Sequence, residues 1–376
     1  MNQMSYNKSV LMLLLMLTAS SCCSKHEKEA VVEKPQIELS SAMGTKALAN
    51  SLENLQNSES GFGVYGYKTQ PNDPTPSIYR LFNNIPAFYD SDNSIWTYTP
   101  TRYWDSNPVV SYQFFAYWPH LGSSAPDDGS AWVSAPELSD ISSSDDMYVT
   151  INDIPNWQDT SSVNTQDYLV ATKKGHYKSS DPTEIAFGND GVVRFEFSHI
   201  LSKLIIKGFY EGDADNHVKV HNITLSGTGY LLPGGTSDYT TTFSASTTGF
   251  GQTVGKVTSQ QGSEQVLYNN DQGCQILQDA FKSSASDNSY KPTPICGWLV
   301  VPTDGWSNLT LSITYAIGSA QPQSSETTVF STPFTMESGK SYILNLKFNT
   351  EGGIELEAMY ISKWTDEDVS REVYNW

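Results

Sequence analysis

Val192-Val193-Arg194-Phe195-Glu196-Phe197-Ser198-His199 runs without a break into Ile200-Leu201-Ser202-Lys203-Leu204-Ile205-Ile206-Lys207. The first half alternates strictly, with Val193, Phe195 and Phe197 on one side, which is the period of a strand with one buried face. The second half is more apolar. Two strand-like halves meeting at His199 read as the last strand of one β-sandwich passing directly into the first strand of the next. That reading divides the chain near Gly191.

Outward from this stretch, short alternating runs recur on both sides, punctuated by Pro, Gly, Asn and Asp. Upstream they are Gln36–Leu39, Phe62–Tyr67, Trp96–Tyr98 and Val110–Tyr117; downstream they are Val220–Ser226, Gly297–Val301, Leu309–Tyr315, Ser341–Phe348 and Gly353–Ser362. Helical periodicity is confined to Ala47–Gln56, where Leu48, Leu52 and Leu55 recur at three- and four-residue spacing. Gly122–Thr165, rich in Ser and Asp, reads as a long loop, and Thr236–Ser263 and Ser283–Ser289 as loops or hairpin ends. The fold class is all-β, with a sandwich signature in each half.

Composition agrees. Aromatic residues make up 12% of the chain, with 21 Tyr, and charged residues only 17%, the balance of exported β proteins. A formal net charge of −19 with no basic stripe excludes nucleic acid as a partner.

The first thirty residues carry an export signal. Lys8 and the apolar run Val10–Leu17 precede Thr18-Ala19-Ser20-Ser21-Cys22-Cys23. The apolar core is well short of the ~20 residues that cross a bilayer as a helix, so it directs export and does not span. Small residues at Ala19, Ser20 and Ser21 fit a peptidase groove, and Cys22 resembles the lipobox cysteine that is acylated before cleavage, although Ala19 stands where Leu is usual. The competing readings are acylation at Cys23 or an ordinary secretory signal. With Cys22 lipidated, residues 1–21 are the signal and 22–35 a tether held by acyl chains, each buried CH₂ contributing ~0.8 kcal/mol.

Past the signal, Cys274 and Cys296 either form one disulfide in an oxidising compartment or remain two separately buried thiols. Ser143-Ser144-Asp145-Asp146 matches no calcium-loop spacing and reads as solvated loop. His217 and His221, with Asp213 and Asp215 upstream, fall across a loop and a strand and do not share a helix face, so no metal site is expected. No nucleophile elbow, zinc-protease helix or phosphate loop occurs, and neither enzymatic activity nor a cofactor is expected. Trp96, Trp104, Trp118, Trp157 and Trp306 are core residues or, where exposed, platforms for sugar rings.

Six blocks in order resemble the fimbrillin-like lipoproteins of Bacteroides-type bacteria. They are Trp96-Thr97-Tyr98-Thr99-Pro100 with Tyr103-Trp104, then Tyr112–Pro119, Gln166–Ala171, Phe197–Leu204, Gly339-Lys340-Ser341-Tyr342, and a late Trp364. The resemblance implies two transthyretin-like, Greek-key β-sandwich domains in tandem, residues 36–191 and 192–376, forming a subunit of a type V pilus. It further implies a lipidated precursor at the outer membrane, exposed on the cell surface and trimmed there by a trypsin-like protease after an Arg or Lys. A strand from a neighbouring subunit then fills the groove that trimming opens. On this chain Lys46 is the expected cleavage residue, with Ala47 the new N-terminus, and the donor strand is Ile354–Ile361, whose Ile354, Leu356, Ala358 and Tyr360 would share one face. The expected partners are other pilus subunits, the protease and the outer membrane. A lipid-anchored adhesin or glycan-binding module, with host or bacterial surface glycans as ligands, is the alternative.

Overall fold

The computed structural model describes residues 34–43, 55–70, 77–122, 133–135, 147–162, 165–178, 187, 190–212, 217–231, 236–243, 251–254, 262–277, 280, 291–302, 307–330 and 335–364. All the strands belong to one compact unit, Gln36–Trp376. The signal at 1–21, Cys22, Lys46, Ala47, Ser143–Asp146, Asp213, Asp215, Trp306 and the tail beyond Trp364 lie outside the described residues, as does all of the expected helix except its helical end at Leu55-Gln56.

The first half closes into a barrel where an open sandwich was expected. Seven strands follow one another around it: β1 (Glu38–Met43), β10 (Val192–His199), β9 (Leu169–His176), β5 (Ser111–Trp118), β2 (Phe62–Gln70), β3 (Ser77–Asp90) and β4 (Ile95–Tyr98). Closure comes from β1. It runs parallel to β10 in continuous register from Glu38↔Val192 to Met43↔Phe197, and meets β4 on its other side at the single pair Leu39↔Trp96. The interior is dense with rings: Phe62 touches Trp96, Phe195 and Phe197 edge-on at centroid distances of 4.6, 5.8 and 5.4 Å, the geometry in which ring quadrupoles attract.

Strands β2, β5 and β9 also bury residues on their outer face. Tyr65, Phe115, Tyr117 and Val170 pack there against Val149, Ile151 and Ile154 of β7 (Met147–Pro155). β7 belongs to a four-stranded sheet ordered β14 (Gly251–Val254), β13 (Thr236–Phe243), β7 and β6 (Val133–Ser134). Two segments read from sequence as loops, Gly122–Thr165 and Thr236–Ser263, therefore supply this covering sheet. Their Ser, Thr and Asp content hides strands whose pairing partner lies some ninety residues away along the chain, as in Thr240↔Thr150.

The remaining strands form two sheets over a common core. One is ordered β20 (Ile354–Lys363), β19 (Lys340–Asn349), β11 (Ser202–Glu211), β16 (Thr293–Val300) and β8 (Trp157–Asp159); the other is β15 (Gly262–Gln275), β12 (Val218–Leu231), β17 (Ser307–Ile317) and β18 (Gln323–Phe330). Leu204, Ile206, Leu344, Leu346 and Phe348 of the first sheet pack with Val220, Ile223, Leu311, Ile313 and Tyr315 of the second. The chain changes sheet across Ile200-Leu201, since β10 completes the barrel and β11 opens the five-stranded sheet.

Gly63 of β2 is needed for close approach. A Cβ there would lie 2.3 Å from Cε1 of Tyr117, whose ring is buried and whose hydroxyl donates to Leu121 O at 3.1 Å. Gly63→Ala should therefore cost about 1–3 kcal/mol, the usual penalty of overpacking a core that cannot shift. Urea unfolding checks this, and an unchanged midpoint would mean that the Tyr117 ring moves aside freely.

Candidate functional site

Two strands carry the residues that the sequence singles out, and they are held differently. β1 and the residues before it have an inner face, Ile37 at 0% exposure and Leu39 at 5%, in one core with Phe62, Trp96 and Phe195. Glu38 and Ala42 point outward and are exposed. The start of the strand is pinned by the loop after β4. The Tyr98 hydroxyl donates to Ile37 O at 2.6 Å, Ile37 N donates to Arg102 O at 2.9 Å, and Arg102 Nε donates to Leu81 O at 2.6 Å. Burial raises the Tyr98 phenol above its ordinary pKa, so it stays a donor at physiological pH. β1 thus has a full ladder on one side and one pair on the other, and Lys46 follows Met43 after only Gly44 and Thr45.

β20 is an edge strand, paired to β19 from Phe348↔Ile354 to Lys340↔Lys363. Against β19 within this chain, a bulge opposite Asn345 and Leu346 keeps Ile354, Leu356, Ala358 and Tyr360 from sharing one face. Phe348, Leu346 and Leu344, all core residues, pair with Ile354, Leu356 and Met359, while Ala358 and Tyr360 pair with Asn345 and Ile343. The extra residue on β20 turns the alternation over. Met359 consequently occupies the inner row, and Tyr360 is 55% exposed.

Both ends of β20 are fastened. Its hairpin turn is tied by Asn349, whose Oδ1 accepts from Gly353 N at 2.6 Å, and by the Tyr315 hydroxyl, which donates to Gly352 O. At the far end Trp364 N donates to Gly339 O at 2.8 Å, and its ring lies flat on His199, centroids 3.9 Å apart and planes at 11°. His199 Nδ1 donates to Asp167 Oδ2 at 2.6 Å, and Lys203, at 0% exposure, holds its ammonium 5.9 Å from the Trp364 ring centroid. This cluster joins strands of the barrel to strands of the five-stranded sheet. The sequence reading used His199 only as the meeting point of two strands and Trp364 only as part of a pattern. The available signal was an aromatic placed directly after an edge strand, together with a Lys and a His in otherwise apolar surroundings.

Cys274 and Cys296 are free thiols in this structure. Burial pushes the Cys274 thiol up to about 11, and burial, reinforced by Asp159 and Cys274, raises Cys296 further, so both are protonated at neutral pH. Trp96 and Trp104 are core residues, Trp104 donating its Nε1–H to Gly191 O at 3.0 Å, whereas Trp118 and Trp157 are half-buried. His217 is bonded to Gln275 at 3.2 Å, and among the described residues no group of three His, Cys, Asp or Glu is placed to hold a metal ion.

The described chain is an all-β protein with one strand closing a barrel at a thin seam and another fastened along an exposed sheet edge. A family profile described as fimbrillin-like matches residues 45–364, and the chain belongs to that family. It is accordingly a fimbrial, surface-type structural protein related to pilus subunits, and non-catalytic. Among solved structures it is similar to a fimbrial protein from Bacteroides vulgatus ATCC 8482, with 16% identity, 88% of this chain and 99% of that chain covered, and a TM-score of 0.48. It is similar also to a proposed cell adhesion protein from Bacteroides uniformis ATCC 8492 (16% identity, 89% and 98% covered, TM-score 0.42) and to a C-terminally truncated tip fimbrial protein from Porphyromonas gingivalis (10% identity, 88% and 100% covered, TM-score 0.35). No curated protein matches.

Trp364→Ala should free the end of β20 while leaving the turn end fixed. Loss of a buried Trp costs about 3–5 kcal/mol, and the expected signature is local: faster amide exchange at Tyr360–Lys363 and at their partners on β19, with β1 and β10 protected as before. Hydrogen-exchange mass spectrometry reads this. Uniform deprotection would mean that Trp364 supports the whole fold and not one strand.

Proposed function

We propose that this chain is a structural subunit of a cell-surface type V pilus, assembled by strand exchange after proteolytic removal of its first strand. In this reading residues 1–21 direct export, Cys22 is acylated and holds the precursor at the outer membrane through the tether 22–35, and the rest of the precursor forms two transthyretin-like domains in tandem, 36–191 and 192–376. A trypsin-like surface protease cuts after Lys46, leaving Ala47 as the new N-terminus, and β1 departs. The lipid is then a temporary tether.

The observation that carries this reading is the way β1 is held. The strand and the residue before it insert two apolar side chains at alternate positions, Ile37 and Leu39, and β1 rests on one continuous ladder with a single pair opposite. Its loss leaves the β10 edge unpaired beside an apolar slot, a state that recruits another strand. A donor of ten residues gains ~10 backbone hydrogen bonds at roughly 1 kcal/mol net each, with each buried apolar side chain adding ~1.5–3 kcal/mol. In β20, Ile354 and Leu356 have the two-residue spacing of Ile37 and Leu39. Once β20 leaves β19, nothing imposes its bulge, and a straightened strand returns Ala358 and Tyr360 to the row of Ile354 and Leu356.

Trypsin treatment of the purified precursor tests the reading. The expected result is one N-terminal cut yielding Ala47, followed by multimers that survive boiling in detergent. A precursor that is shredded, or trimmed without polymerising, removes strand exchange. The lipid anchor is tested separately: Cys22→Ala should release soluble protein, and unchanged membrane association would refute acylation at that residue.

A second reading, a lipid-anchored adhesin that binds surface glycans, is favoured by one observation. The half-buried Trp157 and Trp298 meet edge-on at 5.9 Å where the two-sheet half of the molecule opens to solvent.

A further inference from the structure

Between the edge strands β8 and β15 the core shared by the two sheets opens into a cleft of about 400 Å³, within the range of small-ligand sites. Its lining includes Trp298, Tyr268, Leu267, Asn269, Cys296 and Asp159. Trp298 is oriented before any ligand arrives: its Nε1–H donates to Leu267 O at 2.9 Å, across to the other sheet, and Trp157 braces it edge-on. Tyr268 supplies a second, partly exposed ring.

The polar groups around these rings are neutral or acidic. Asp159 Oδ1 accepts from the Ser161 backbone N–H at 2.8 Å and from the Ser161 hydroxyl at 2.7 Å, with no donor on Oδ2 among the described residues. Asn269 is exposed and offers both a donor and an acceptor. Among the described residues no Lys or Arg lines the cleft, and the chain carries a net charge of −19, so the described lining offers an anionic ligand no counter-charge. An extended peptide is also poorly served. β8 is only three residues long, and the register of β15 against β12 shifts twice between Val220 and Thr224. Short and bulged edges are those that resist strand addition.

A fixed indole and a second ring beside an amide and a carboxylate oxygen that takes no donor among the described residues, with no cation in the described lining, match one ligand chemistry: a ring with apolar C–H faces and a girdle of hydroxyls that both donate and accept. We infer that this cleft binds a neutral sugar ring of an oligosaccharide, stacked on Trp298 and Tyr268 and hydrogen-bonded to Asp159 and Asn269. The inference deepens the adhesin reading and rests on it for surface exposure, but it does not require strand exchange.

The test uses the full chain on an immobilised panel of neutral, sialylated and sulfated oligosaccharides, with each neutral hit titrated in solution by calorimetry and by tryptophan fluorescence. Expected are capture of at least one neutral glycan, a change in Trp emission on binding, and a loss of about tenfold in affinity for Asp159→Ala and for Asn269→Ala, the effect of one hydrogen bond. Asn269→Ala alters an exposed side chain and should leave the unfolding midpoint unchanged, and Asp159→Asn, which keeps an acceptor for Ser161, separates lost sugar contact from the turn that Asp159→Ala loosens. Trp298→Phe should keep binding and lose the emission change, which separates stacking from misfolding. Capture restricted to anionic glycans, no capture at all, or neutral-glycan affinity untouched by the two alanine variants would each overturn the inference. Polymerisation after trypsin without sugar binding removes only this inference. Sugar binding by a chain that does not polymerise removes only strand exchange.

Discussion

The whole first half of the molecule depends on β10, because it holds both neighbours that close the barrel. On one edge it carries β1 in parallel register; on the other it pairs with β9 at Ser198↔Val170 and His199↔Leu169. Its inner row, Val193, Phe195 and Phe197, is fully buried among the rings around Phe62, while Arg194 and Glu196 stay exposed. A one-residue slip would exchange these rows and bury two charges, so the hydrophobic pattern fixes the register and the register positions β1. β10 then passes through Ile200-Leu201 into β11, whose parallel pairing with β19 organises the second half. One uninterrupted stretch of chain therefore sets the geometry of both.

At its downstream end, β10 also anchors the other terminal strand. His199 closes β10 and presents its ring to Trp364, the residue after β20, with Asp167 from the segment leading into β9 fixing the imidazole through Nδ1. Lys203, one residue into β11, completes the cluster from the second sheet. The strand that starts the barrel and the strand that ends the described chain are both referred to the same short segment, Val192–Lys203, although they lie in different sheets. Any displacement of β20 from its far end must uncover the His199 ring and the environment of a fully buried ammonium, which makes that end costly to open. Near Tyr360 and Ile361, by contrast, the strand has little buried area to lose.

The strands legible in the sequence are those whose burial follows a simple period. Val192–His199 alternates because one face meets the barrel interior, and Phe62–Tyr67 announces itself by rings on both sides, since β2 is buried inside and out. β3 escaped because Asn83, Asn84 and Pro86 look like turn residues. The chain takes them in stride through register shifts against β2 and a left-handed Asn84 at φ 50°. β18 escaped because Gln-Ser-Ser-Glu-Thr-Thr is a polar edge with little buried face. The bulge in β20 had no local signature at all, because an extra residue is defined only against the partner strand. The same holds for Trp364. Its role lies in a contact with His199, and separation along the chain conceals contacts of that kind.

Under the proposed strand exchange, the covalent link between β1 and the rest of the chain is the controlling variable. An incoming strand forms much the same backbone hydrogen bonds as the strand it replaces, so the difference in ladder energy between the two states is small. While the chain is intact, however, β1 competes intramolecularly, at an effective concentration in the millimolar range for a short connection. A neighbouring subunit at micromolar concentration loses that competition by orders of magnitude, whatever its side chains. Cutting between Met43 and Phe62 removes the advantage in one step and turns β1 into a short free peptide, held by two buried apolar side chains and one ladder. A longer donor with more apolar positions then outlasts it. The single pair Leu39↔Trp96 on the β4 side matters here for rate more than for equilibrium, because a strand with one thin edge can peel from that edge before the ladder with β10 gives way.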